Sequence, residues 1–121
     1  MRLRLLLSCA VACLFAATSA NAQDAVKVDP KHYKVETENA NVRVLRIHYG
    51  PHEKSVMHSH PDSVVVYLSD GTIRMTTPDG KSQELQGKKG QTEYTPAGVH
   101  NPENMGDTDF EAILVELKHK R

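Results

Sequence analysis

With 121 residues, 15 Lys and Arg against 15 Asp and Glu and no formal net charge, the chain lacks the basic excess expected of a nucleic-acid binder. Its two cysteines, Cys9 and Cys13, fall near the amino terminus, which excludes a disulfide framework in the rest of the molecule. The fold must therefore stand on core burial, and the length suits one compact domain.

Met1-Arg2-Leu3-Arg4 leads with positive charge into an apolar run over residues 5–17, and Ala20-Asn21-Ala22 places small residues where a signal peptidase reads. The pattern predicts a secretory signal peptide over residues 1–22, cleaved after Ala22, and a secreted or periplasmic protein with no membrane association after cleavage. A retained anchor is the competing reading, although the run is short for a bilayer span. Cleavage would remove both cysteines with Arg2 and Arg4, leaving 99 residues with 13 basic and 15 acidic side chains.

Residues 23–41 are polar, contain Pro30, and predict an extended N-terminal arm with one short strand over 33–35. The domain proper is expected over 42–121. Its first segment, 42–49, is rich in β-formers with imperfect alternation, which predicts a strand bulged near Val44 and Leu45 and stopped by Gly50-Pro51. Next come His58 and His60, where the sequence turns into the β-branched run Val64-Val65-Val66-Tyr67. A strand sends residues i and i+2 to one face, so both imidazoles can reach a single metal ion. The Asp70-Gly71 and Pro78-Asp79-Gly80 turn signals bracket residues 72–77 and read as hairpin turns. A polar strand is expected over 81–86, a turn over 87–90, and a short strand over 91–95 ending at Pro96.

Beyond Pro96-Ala97-Gly98 stands His100, which that turn can swing back towards the pair. Residues 110–117 alternate and then become continuously apolar, predicting a buried strand before the solvated basic end at 118–121. No segment reads as a helix of any length. Short strands spaced by turn residues predict an all-β sandwich or barrel. His48 and His52 have no partner at i+2 and read as exposed histidines. A lone His-x-His is common on exposed strands, but three neutral nitrogen donors with open positions describe a catalytic type of metal site, because a structural zinc closes its shell with four protein ligands.

Gly50, His58, His60 and Gly71, followed by Gly90, Pro96, Gly98, His100 and Asn104, resemble the two sequence motifs of the cupin family. The resemblance spans residues 50–104. It implies an antiparallel jelly-roll β-barrel, a mononuclear metal site at His58, His60 and His100, a small-molecule substrate or ligand, and a homodimer. Counting back from Gly71, the family's metal-binding glutamate falls on Val64, so the expected site is a three-histidine one. Three-histidine cupins resembling the acetylacetone and thiol dioxygenases bring a small organic substrate and oxygen together, which implies a dioxygenase with iron. Zinc, copper, nickel and manganese suit the same class of donors. A metal-binding or ligand-sensing module without turnover is the alternative, since the family hosts both. Glu93, Tyr94 and Asn104 are candidates for contacts around metal or substrate, set against core packing for Tyr94 and a turn role for Asn104.

Overall fold

The computed structural model describes residues 23–119; the expected signal peptide and the last two residues lie outside the described residues. One short helix, α1 (Ala25–Val28), precedes nine strands: β1 (Tyr33–Glu38), β2 (Val42–Tyr49), β3 (His58–His60), β4 (Ser63–Tyr67), β5 (Gly71–Thr76), β6 (Ser82–Gly87), β7 (Thr92–Thr95), β8 (Gly98–Asn104) and β9 (Phe110–Leu117). The strands form a five-stranded sheet in the order β1-β2-β9-β4-β7 and a four-stranded sheet in the order β3-β8-β5-β6. All of their pairings are antiparallel. This is the all-β barrel that the turn spacing and the lack of long helical patterns predict, in the jelly-roll form that the family resemblance implies.

The core follows from period-two alternation. On β9, Phe110, Ala112, Leu114 and Glu116 are buried, while the residues between them are half-buried. The first three meet Leu45, Ile47, Tyr49, Tyr67 and Ile73 in one apolar cluster. Each large apolar side chain taken from water there contributes about 1.5–3 kcal/mol.

Two corners decide where the site forms. Pro61-Asp62 separates β3 from β4, yet those strands lie in different sheets, so the chain turns a barrel corner directly after the His-x-His pair. Asp70-Gly71 likewise carries the chain from one sheet to the other and not around a hairpin, contrary to its turn chemistry. The second Asp-Gly step does close a hairpin, between β5 and β6, with Gly80 at φ 83 and its N–H donating to Thr77 O at 2.9 Å.

Four further features differ from the sequence expectation. The expected bulge lies opposite β2, in β1: the register steps from Val35↔Leu45 to Thr37↔Val44, leaving Glu36 as the extra residue. Strand β8 occupies a stretch whose Asn101, Pro102 and Asn104 argue against a strand, because pairing with β3 and β5 overrides local preference. Helix α1 is a single turn, too short to leave a periodic pattern, and β1, expected inside the arm, is the outermost strand of the five-stranded sheet.

Candidate metal centre

Strands β3 and β8 pair so that His58 lies directly opposite His100, with Ser59 opposite Val99 and His60 opposite Gly98. His60 is two residues from His58 and therefore shares its face. The three imidazoles converge: ring centroids are 4.8 Å apart for His58 and His60, 4.9 Å for His58 and His100, and 5.3 Å for His60 and His100. One ring nitrogen from each lies within 4.8 Å of the other two. Gly98 faces His60 across the ladder and brings no side chain into the cluster.

Hydrogen bonds fix which nitrogen His58 and His60 offer. His58 is fully buried, and its Nδ1–H donates to Val56 O at 2.8 Å with Ser55 Oγ at 3.2 Å. A carbonyl can only accept, so the proton sits on Nδ1 and Nε2 carries a bare lone pair. His60 Nδ1–H donates to Glu116 Oε2 at 2.7 Å, which engages that nitrogen and leaves Nε2 as the one available to a metal. The Nε2 atoms of His58 and His100 are buried with no hydrogen-bond partner. Leaving a buried polar atom unsatisfied costs about 1–3 kcal/mol, so two of them side by side demand an account. A cation shared by three neutral imidazoles supplies one, and the donor set fits a divalent transition metal.

Electrostatics keep those donors ready. Burial, reinforced by the neighbouring His60, pushes the His58 imidazole down to about 4. Burial, with His58 and His60 nearby, pushes His100 down to about 3. Both are neutral at pH 7. Burial pushes the Glu116 carboxyl up, but its bonds to His60 and Arg43 outweigh that and hold it below the usual carboxylate range. Glu116 is thus an anion, its side chain 3% exposed, that accepts from both His60 and Arg43 Nε, the latter at 2.6 Å.

A cavity of about 110 Å³ opens from the histidines into the barrel. Its walls are chiefly apolar, including Ile47, Val65, Ile73, Met75, Phe110 and Leu114, and Glu93 is the acidic side chain at its lining. That space is a little smaller than an engineered cavity known to take benzene, so it suits a small organic molecule.

The sequence pattern described as "Cupin domain" matches residues 45–116. The chain belongs to the cupin family. It is 34% identical over 86 residues to the Beta-alanine degradation protein BauB of Pseudomonas aeruginosa, covering 69% of this chain and 90% of that one. Among solved structures it is similar to a cupin domain protein from Bordetella pertussis Tohama I, with a TM-score of 0.68, 31% identity, and coverage of 72% and 92% of the two chains. An RmlC-like cupin from Methanocaldococcus jannaschii, at TM-score 0.56 and 21% identity over 75% of this chain and 84% of its own, shares the fold.

Set in the cupin barrel, the other sequence candidates separate. Val64 does not face the site: the β4 residues lining the cavity are Ser63, Val65 and Tyr67, so Val64 and Val66 turn outward. The family's spacer before its glutamate is three or four residues, and counting the longer one from His60 lands on the inward Val65. Val65→Glu is accordingly expected to tighten metal binding, measured by competition with a chromogenic chelator, and Val64→Glu to leave it unchanged. Equal effects from both would mean that neither position addresses the metal.

Glu93 lines the cavity. Tyr94 is 57% exposed on the opposite face of β7 and belongs neither to the core nor to the site. Asn104 is buried, but its Nδ2 donates to Gly50 O at 3.0 Å and Thr108 O at 2.8 Å, and its Oδ1 accepts from Gly106 N at 3.0 Å. It ties two loops together, the turn role expected as its alternative. His48 and His52 are exposed and pair with Asp109 and Asp107. Sequence reasoning missed Glu116, although a carboxylate in phase with Phe110, Ala112 and Leu114 on an alternating strand was the available signal.

Proposed function

We propose that this cupin is a mononuclear metal protein in which His58, His60 and His100 hold a divalent transition metal, iron for preference, and that it acts as a dioxygenase on a small organic substrate. The observation that carries the reading is the pair of buried, unpartnered Nε2 atoms on His58 and His100 with His60 clustered beside them. When bound, the metal supplies a Lewis-acid and redox centre at the cavity's polar end. The chain's own residues supply the rest. Ile73, Met75 and Phe110 exclude water and seat an apolar body, while Glu116 and Val56 hold two imidazoles in the tautomer that presents Nε2 inward. Three neutral ligands leave the metal's charge uncompensated and leave positions open, as catalysis requires.

The second reading, a binding or sensing module, is favoured by one observation: among the described residues, Glu93 is the only carboxylate lining the cavity. The BauB name places that relative in β-alanine degradation without specifying a step, and it supports a small-molecule role here. Metal analysis of protein purified from its native host, followed by oxygen uptake over diketones, thiols and phenolics, separates the readings. Bound metal with turnover supports the enzyme. Bound metal without oxygen uptake supports the module, and no metal in chelator-sensitive amounts rejects the enzyme and leaves a module that binds a small ligand without metal. In the same proposal the protein is exported after cleavage at Ala22, which an intact Met1 on protein recovered from the host would overturn.

A second copy of the chain is the proposed macromolecular partner, docked on the outer face of the five-stranded sheet. There Val44, Val64, Val66, Ile113, Val115 and Leu117 stand side by side across β2, β9 and β4, in the ladder positions Val44↔Val115, Val64↔Val115 and Val66↔Ile113. These side chains are half-buried in the single chain, and together they form an apolar tract on which a second copy can seat. Being centred on one strand, it can meet its own copy across a two-fold axis. Val115→Lys is expected to halve the mass measured by light scattering, and an unchanged dimer would place the contact elsewhere.

A further inference from the structure

Two hydrogen-bond chains run outward from the metal ligands, and both end on the same segment. From His60 the first passes to Glu116 at 2.7 Å, then to Arg43 Nε at 2.6 Å, and from the Arg43 fork to Asp24, with Nη1 to Oδ2 at 3.0 Å and Nη2 to Oδ1 at 2.5 Å. From His58 the second passes to Ser55 Oγ at 3.2 Å, whose hydroxyl donates to Asp29 Oδ2 at 2.5 Å. Asp29 also accepts from His32, whose ring stacks on Tyr49 with centroids 4.3 Å apart. Tyr33 then sets its ring edge-on to His58 at 4.8 Å and tilted to His60 at 5.4 Å. Asp24, Asp29, His32 and Tyr33 all lie within residues 23–33.

That segment is built onto the site and does not merely pass it. Ala25 is fully buried, the backbone N–H of Ser59 donates to Gln23 O at 2.9 Å, and Asp24 forms a parallel bridge with Ser59, the residue between the two ligands. Asp24, Asp29 and Arg43 fall outside the stretch of 45–116 that matches the family. The contacts therefore join residues inside the matched stretch, Ser55 and Glu116, to residues outside it.

We propose that the N-terminal arm is a clamp on the metal centre, in which Asp24 and Asp29 are positioning residues: Asp24 acts on His60 through Arg43 and Glu116, and Asp29 acts on His58 through Ser55. The physical reason is the outer partner of a metal-bound imidazole, which fixes its tautomer and rotation and strengthens it as a donor. Arg43 draws charge from Glu116 unless its fork is occupied. Asp24 takes both Nη atoms, the strong geometry for a guanidinium and a carboxylate, so that Nε stays on Glu116 Oε1 and Oε2 stays on His60. Asp29 holds the Ser55 hydroxyl so that its oxygen lone pair faces His58 Nδ1–H. The inference rests on the metal reading of the three histidines.

The test uses the full protein and Co(II), whose visible absorption reports coordination geometry. Asp24→Asn keeps the shape of the side chain and removes its charge; Ser55→Ala cuts the second chain without disturbing Asp29 and His32. Each is expected to weaken Co(II) binding about tenfold or more and to shift the absorption bands. Asp24→Glu should restore most of the affinity. Glu36→Gln, which breaks the neighbouring exposed pair with Arg46, should leave affinity and spectrum unchanged. If both Asp24→Asn and Ser55→Ala bind Co(II) as the wild type does, with folding verified by circular dichroism, the clamp does not exist. If the wild type itself binds no Co(II), it is the metal reading that fails, and the inference falls with it.

Discussion

His100→Leu should yield a protein that carries no metal yet, in the metal-free state, melts no lower than the wild type. The His100 Nε2 is buried without a partner, and burial already holds the ring neutral at pH 7. Leucine of similar volume removes an unsatisfied polar atom worth about 1–3 kcal/mol and leaves two nitrogen donors, too few for a stable site. His60→Ala should lose the metal too, but at a stability cost of about 2 kcal/mol or more, because Glu116 keeps its buried charge and loses one of its partners. Metal per chain and melting temperature, each with and without chelator, distinguish the two. Saturating metal should raise the wild-type melting temperature by more than about 10 °C, as expected for a ligand present at hundreds of times its Kd on a domain this small. A His100→Leu variant with wild-type metal content would remove His100 from the site.

The second large effect is on acid sensitivity. Metal-free wild type should lose stability steadily as pH falls from about 6.5 towards 4. His58 and His100 titrate at about 4 and about 3 in the native protein, below the free value of about 6.5, so across that window the unfolded chain takes up protons that the folded one refuses. Their contribution is complete above about pH 6.5 and is lost as pH falls towards the folded values. Glu116 acts in the same direction, its stabilisation being present above the ordinary carboxylate range and lost below it. The melting temperature should drop by on the order of 10 °C or more between pH 7 and 4.5, and His100→Leu should flatten that slope. A slope unchanged by His100→Leu would mean that other groups carry the acid response.

Much of the barrel was legible because its strands obey local rules. Residues 110–117 alternate as a half-buried strand should, and the Pro78-Asp79-Gly80 turn sits where its chemistry puts a hairpin. The three histidines were legible from a two-residue spacing and a returning turn. What escaped has a common character: it depends on which distant residues meet. Asp70-Gly71 carries the same turn chemistry as a hairpin, but its flanking strands find partners in different sheets. Strand β8 forms despite Pro102 because β3 and β5 supply the pairing. Val64 and Val65 are indistinguishable by composition, and only the pleat decides which of them looks inward. The link from Asp24 to Arg43 spans 19 residues and that from Arg43 to Glu116 spans 73, distances over which no sequence periodicity speaks.

Strand β3 is three residues long and forms the edge of the four-stranded sheet, paired through its length with β8 alone. Its outer side would present open backbone groups, were it not that Gln23 O accepts from Ser59 N there and α1 packs alongside. Such an edge is a template for strand addition by another molecule. The same few residues that steady the histidines thus also shield the barrel from aggregating along β3, and proteolytic trimming ahead of Tyr33 would expose both the edge and the ligands at a stroke.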